Sequence, residues 1–390
     1  MHLKVFRHIS EIPENTWNSI LCEDDIFHHY RFLKAIQEAA VENADMRFLT
    51  FYKNEQLLGS AVCSAFTIDL SLFAGDNVFV KILKKSLSGI FKCRICFCGT
   101  PLSAGQNNIR WKDENDKGPI LNETIKFMDK WCAEEKIPVS IFKEFSEPSV
   151  SLSLLNSGYI KAPSLPGTTL FLPFNTHREY MDSLRANYRR QILSGWKKIE
   201  NKHPTFVENY FTSAKNENAP VFTILNAEDI DARHFYALYT LVLNRAETRL
   251  ETLNLAFFSN FFSQYKEQLK ALSMVFRGKI IGMFIFIKLR EQLVFLWTGK
   301  EDEKDDYESY NNLLSALVIF AIKEGYKKID LGQTSYYPKM RLGGQTFDLV
   351  FYFKAKKPLV HKIITLLKPV IFPEYTLPEM KVFAAKNKVL

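Results

Sequence analysis

Two stretches of the chain alternate apolar and polar residues with the period of a strand, and both carry the same punctuation. RFLTFYKNEQLLGSAVCSAF, from Arg47, reads as strand, polar turn and strand, with Gly59 opening the second strand. LSMVFRGKIIGMFIFI, from Leu272, repeats the pattern with Gly282 in the matching place. In each half a helical pattern and a short apolar strand follow, in LNETIKFMDKWCAEEKIPVSIF from Leu121 and NNLLSALVIFAIKEGYKKIDLG from Asn311. A hairpin feeding a helix and then another strand predicts an α/β chain of the α+β kind. Each half is then a mixed β-sheet flanked by helices. The two glycines and the two helix-to-strand junctions sit at different offsets, so the first half carries an insertion near 66–118.

The linking segment SLLNSGYIKAPSLPGTTLFLPF is punctuated by Pro163, Pro166 and Gly167. A helix is predicted after it, with Asn175 or Thr176 as N-cap and Glu179 in the first turn. Met181, Leu184, Tyr188 and Ile192 form its apolar stripe, with Arg185, Arg189, Arg190, Lys197 and Lys198 largely off it. Gly195 is a place for a kink. Further helices are expected in DARHFYALYTLVLNRAE, capped by Asp229 or Asp231, and in LAFFSNFFSQYKEQLK. This divides the chain into 1–174, 175–355 and a tail, 356–390.

Composition changes that picture in three places. The 390 residues include 33 Phe and 16 Tyr, rings that fill cores or line sites for long apolar groups. Charge is local: from Lys354 onward there are eight Lys against Glu374 and Glu379. KPLVHKIITLLKPVIF sets Leu359, Val360, Ile363, Ile364, Leu366, Leu367, Val370 and Ile371 at helical spacing beside Lys356, Lys357, Lys362 and Lys368. That pattern fits an anionic membrane surface or a closing helix packed on a sheet. The N-terminus has no signal-peptide pattern, and the apolar run Leu313–Ile322 is shorter than the roughly 20 residues of a membrane span. A cytoplasmic protein is expected, with a peripheral station at the inner face of the membrane open to it. The CRICFC cluster lacks a second Cys or His pair at finger spacing. It reads as a strand with buried thiols, and no metal is expected.

The densest chemistry lies in IDLGQTSYYPKMRLGGQTFDLVFYFK, 329–354. Ile329–Leu331 reads as a buried strand. Gly332, Pro338, Gly343 and Gly344 then break the chain around Gln333, Thr334, Tyr336, Tyr337, Lys339 and Arg341. Ligands of open α/β sheets bind beyond strand ends, so this loop is the candidate site. In extended backbone Lys339 and Arg341 share a face and can grip a phosphate or carboxylate. Asp330 is a candidate base or a structural carboxylate, and Tyr307, Tyr310 and Tyr337 are candidate proton donors. Arg245 and Arg249, four apart, make either an anion clamp or a salt-bridged helix face. Trp297 walls an acyl channel or caps the core. No G-x-S-x-G elbow or Walker loop is present.

The order of segments resembles the Fem-type and related bacterial N-acyltransferases of the GNAT superfamily, which carry two GNAT-like halves. Trp17 followed by FHHYRFLKAIQEA, the GTPLSAG segment and LLNSGYIKAPSLPGTTLFLPF carry the first part of the likeness. LRANYRRQI, ALYTLVLNRAETR and the closing G-x-K-K-I-D-L-G before Y-P-K-M-R-L-G-G carry the rest. The resemblance implies transfer of an acyl group to an amine. The donor is then acyl-CoA, acyl-carrier protein or aminoacyl-tRNA, and no cofactor is held permanently. Two departures bear on the donor. WTGKEDEKDDYESYNN stands where a glycine-rich pyrophosphate loop is expected, and the helical hairpin of many tRNA-using members is missing. The leading expectation is an acyl-CoA or acyl-carrier-protein N-acyltransferase with a small-molecule or lipid-like amine acceptor. The others are a Fem-type aminoacyl-tRNA-dependent transferase building a cell-wall peptide and a catalytically silent membrane-surface or nucleic-acid binding module.

Overall fold

The structure is a computed structural model and describes residues 1–69, 92–103, 105–146, 151–199, 204–207, 219–246, 251–301, 307–372 and 374–384. Two compact units emerge, one of 1–166, 248–257 and 348–376, the other of 167–247, 258–347 and 377–390. Much of the insertion expected at 66–118 falls on 70–91, outside the described residues.

In the first unit the hairpin is β2 (Asp45–Lys53) and β3 (Gln56–Asp69), turning through Asn54 and Glu55 with φ of 49° and 63°. β1 (His2–Phe6) flanks it on one side and β4 (Lys92–Cys98) on the other. A short strand, β5 (Ile109–Trp111), also pairs with β3. The helix Glu114–Glu134 then crosses over to β6 (Val139–Phe145), which is parallel to β4. β7 (Ile160–Pro163) closes the far edge. Gly59 faces the crossover helix, where a Cβ would stand 2.3 Å from Ile120 Cδ1. Cys96 and Cys98 are buried beside Cys63 and Cys132 in the core under that helix. Ile95 and Phe97 point to the other face of the sheet, so CRICFC is a strand as its alternation predicts.

The second unit repeats this plan. β10 (Leu269–Phe276) and β11 (Lys279–Lys288) turn through Arg277 and Gly278, with φ of 50° and 73°. Paired positive-φ residues suit the right-handed twist of a two-residue hairpin. β9 (Val221–Asn226) and β12 (Gln292–Lys300) flank the hairpin. The apolar helix Ser309–Lys323 crosses over to β13 (Lys328–Gly332), parallel to β12. Gly282 faces this helix, with Leu313 Cδ1 3.0 Å from its would-be Cβ. The alternating hairpins, the glycines under the crossover helices and the parallel strand pair all match. The α/β expectation of two mixed sheets flanked by helices holds.

The sequence-based boundaries at 174 and 355 differ from these units. β8 (Gly167–Phe171) joins the second sheet between β13 and β14 (Gln345–Phe347). β15 (Val350–Ala355) joins the first sheet between β6 and β7. Each sheet thus takes one inner strand from the other side of the sequence midpoint.

The basic helix of 177–198 is also two pieces. Thr176 Oγ1 accepts from Glu179 N at 3.2 Å and caps His177–Ser183. The chain is extended at Leu184, where Leu184 bridges Phe383 and Arg185 N donates to Val382 O at 2.9 Å. Ala186–Lys198 follows. Gly195 does not kink it; a Cβ there would lie 3.1 Å from Asn312 Oδ1, so the glycine admits the crossover helix. The tail, 356–390, is likewise divided. Helix Pro358–Ile371 packs on β15 in the first unit, while Val382 and Phe383 join the core of the second. No helix among the described residues is long and apolar enough to cross a membrane.

Candidate active site

β12 and β13 pair only through Gln292↔Lys328, Leu293↔Ile329 and Val294↔Asp330. β12 runs on along β11 to Lys300, whereas β13 shifts register against β8 and ends at Gly332. The parallel strands therefore part at the point where the Gly-punctuated segment begins.

Gly332, Thr334 and Ser335 have φ of 65°, 58° and 47°, and this left-handed turn leads into the short helix Tyr336–Arg341. Two consecutive non-glycine residues at positive φ store strain of order 1–3 kcal/mol each, a feature concentrated at functional sites. The Asp330 carboxylate fixes the turn's start by accepting from Gly332 N at 2.8 Å. Lys339 is 1% exposed, and its Nζ donates to the Gln333 carbonyl at 2.7 Å. The amine also lies 5.9 Å from the Phe295 ring centroid. Burial pulls its pKa down to about 7 despite the opposing charge of Asp330, because an ammonium is costly in an apolar surround.

Tyr310, in the first turn of the crossover helix, stands against Phe284 at 5.3 Å and shares a hydrogen bond with the Ser335 side chain. Burial raises its pKa, so the hydroxyl keeps its proton. Phe284 and Phe295 touch at 4.7 Å and form an apolar wall. Thr298 pairs with Phe284 across the ladder and faces the same side; its buried Oγ1 has no hydrogen-bond partner among the described residues.

Lys339, Asp330, Gln333 and Tyr310 are thus brought together, with Phe284, Phe295, Thr298 and Ser335 added. Phe284, Phe295, Thr298 and Ser335 carry no special pattern in the sequence. Their only signal is a place on a strand or turn beside the parting strands.

Other expected partners do not join them. The segment 336–341 is helical, not extended, and two residues apart on a helix point about 200° from each other. Lys339 is accordingly buried while Arg341 and Tyr337 are exposed, so the paired grip of Lys339 and Arg341 does not form. Thr334 is exposed at the rim. Trp297 faces the opposite side of the sheet. The ladder shifts between Ile285↔Trp297 and Phe286↔Phe295, and this irregularity turns Trp297 away from Phe295. It packs edge-on to Phe258 and Phe261 at 5.5 and 5.1 Å. The helix Ala232–Arg245, capped by Asp231 accepting from Arg233 N, ends at Arg245 because Ala246 is extended. The proposed Arg245–Arg249 face is therefore not built on this helix, and Arg249 lies outside the described residues. Tyr307 packs on Phe276, not on Tyr310.

No protein-family model matches the chain, and no curated protein does at a significant level. Solved structures do. FemX aligns over 94% of this chain and 100% of its own, at 9% identity and a TM-score of 0.54. The chain has the FemX fold. The C-terminal domain of a putative lysylphosphatidylglycerol synthetase from Agrobacterium fabrum aligns over 90% of this chain and 94% of its own, at 8% identity and a TM-score of 0.50. A tandem GNAT protein from the clavulanic acid biosynthesis pathway follows at 9% identity and 0.49, over 92% and 99%. The likeness to FemX is one of fold, two mixed sheets flanked by helices.

Proposed function

We propose that this chain is an N-acyltransferase that moves an acyl group from acyl-CoA or acyl-carrier protein to a lipid-like amine, using the cleft where β12 and β13 part. The observation that carries the reading is Lys339, a buried lysine poised near neutrality beside the parting strands. An amine attacking a thioester carbonyl forms a C–N bond and a tetrahedral oxyanion, then expels a thiolate. Backbone N–H groups of β12 beyond Val294 suit the oxyanion. Neutral Lys339 takes the proton of the attacking amine and passes it to the leaving sulfur, while the Tyr310 hydroxyl, which keeps its own proton, donates a hydrogen bond to that sulfur. Asp330 and Gln333 hold the turn and the lysine. Phe284 and Phe295 receive the apolar acyl chain, and exposed Thr334, Tyr337 and Arg341 meet the polar end of the donor. Because Lys339 is covered, it reaches a reactant only when the Gln333–Ser335 turn shifts, and the strain at Thr334 and Ser335 lowers the cost of that shift.

A lipid-like acceptor is supported by the likeness to a protein named for a lysylated phospholipid. Both donors are cytoplasmic, so the reading puts the enzyme in the cytoplasm. The test is incubation of the purified protein with labelled acyl-CoA or acyl-carrier protein and a long-chain amine. Labelled amide supports the reading, and its absence with every thioester sinks it. One observation favours aminoacyl-tRNA as the donor instead: Arg185, Arg190, Lys197 and Lys198 are exposed along and beside one helix, a surface fit for a polyanion. Amide formed from aminoacyl-tRNA and not from thioesters would establish that second reading.

A further inference from the structure

Helix Pro358–Ile371 is amphipathic, but it is docked with its apolar side outward. The inward stripe is His361, Ile364 and Lys368, all half-buried. His361 Nδ1 accepts from Ala355 N at 3.2 Å, and its ring stands 6.3 Å from Phe353 of β15. The opposite stripe is Leu359, Ile363, Leu366 and Leu367, spaced to share one face, with Val360 at its margin. These four are 71%, 46%, 71% and 47% exposed. A helix that merely closed the unit would bury these side chains and turn His361 and Lys368 to water. Lys356, Lys357 and Lys362 are exposed beside the apolar stripe. The sequence has no acidic residue between Asp348 and Glu374.

We propose that this outward face lies on an anionic lipid bilayer, with the leucine and isoleucine side chains in the acyl boundary and the lysines at the headgroups. The charge selects the occupant. A second copy of this chain would bring two like-charged lysine clusters together, and a neutral apolar partner would gain nothing from them. A bilayer surface bearing anionic headgroups satisfies both the stripe and its flanks. The proposal is independent of the chemistry in the second unit.

The experiment is co-sedimentation of the full chain with phosphatidylcholine vesicles and with phosphatidylcholine–phosphatidylglycerol vesicles, at low and high salt. Wild-type protein is expected to partition into the anionic vesicles and to be released by salt. Leu366→Glu should weaken partitioning by about 10- to 100-fold, the effect of withdrawing one leucine from an apolar phase. Lys357→Gln and Lys362→Gln should each weaken it about five-fold. All three side chains are exposed, so circular dichroism and melting should stay as in wild type. Equal binding to both vesicle types, or to neither, overturns the proposal. So does a wild-type dimer in analytical ultracentrifugation that Leu366→Glu dissociates while vesicle binding is unchanged.

Discussion

Lys339 ties charge and stability to one atom. Its amine is neutral in the fold above about pH 7, whereas in the unfolded chain it stays charged to about pH 10.4. Folding therefore releases a proton between those values, and the lysine's contribution to stability rises with pH across that window. Below about pH 7 both states are charged and the burial penalty is constant. Lys339→Met lacks this dependence. In chemical denaturation, wild type should gain on the variant between pH 7 and pH 9.5, and parallel pH curves would contradict the neutral amine. A polar, Gly-punctuated loop made Lys339, Asp330 and Gln333 legible in the sequence. Arg341 does not share a face with Lys339 because six residues, Tyr336–Arg341, are helical where the Pro and glycines suggest extended chain. A ladder irregularity that leaves no compositional mark sets Trp297 on the face opposite Phe295. Thr298 is a plain strand threonine until its ladder partner, Phe284, is known.

At the scale of elements, glycines and caps set how closely helices approach the sheets. A Cβ on Gly299 would stand 2.7 Å from Leu238 Cβ and 2.9 Å from Tyr239 N, so helix Ala232–Arg245 rests directly on β12. Gly299→Ala must push that backbone away and should cost about 1–3 kcal/mol, read as a lowered urea midpoint. An unchanged midpoint would mean that the helix yields freely. Asn312 fastens the crossover helix through bonds from Nδ2 to Gly195 O at 2.9 Å and Tyr307 O at 2.6 Å. Asn312→Ala strands two carbonyls and should cost about 1–3 kcal/mol by the same measurement, with no loss expected only if water replaces the amide. The hairpins and the caps at Thr176 and Asp231 were readable because local chemistry decides them. The break at Leu184 was not, since its cause is Val382 and Phe383, some two hundred residues away.

The whole molecule shows the same division between local and distant causes. Alternation predicted two mixed sheets, but not that β8 would enter the second and β15 the first, because strand pairing is settled by partners the sequence does not name. That insertion of β8 also braces the site: Asp330 of β13 pairs with Thr169 of β8 on the side opposite Val294. The proposed acyl transfer takes place where β12 and β13 part, with Lys339 as the base. Single-turnover amide formation measured against pH, with wild type and Lys339→Met at saturating donor, is its test. Wild type should accelerate through an apparent pKa of about 7. Lys339→Met should be slower by about 10²- to 10⁴-fold, without that limb and with its fold retained. A Lys339→Met enzyme with the wild-type rate and the wild-type pH profile would contradict the account.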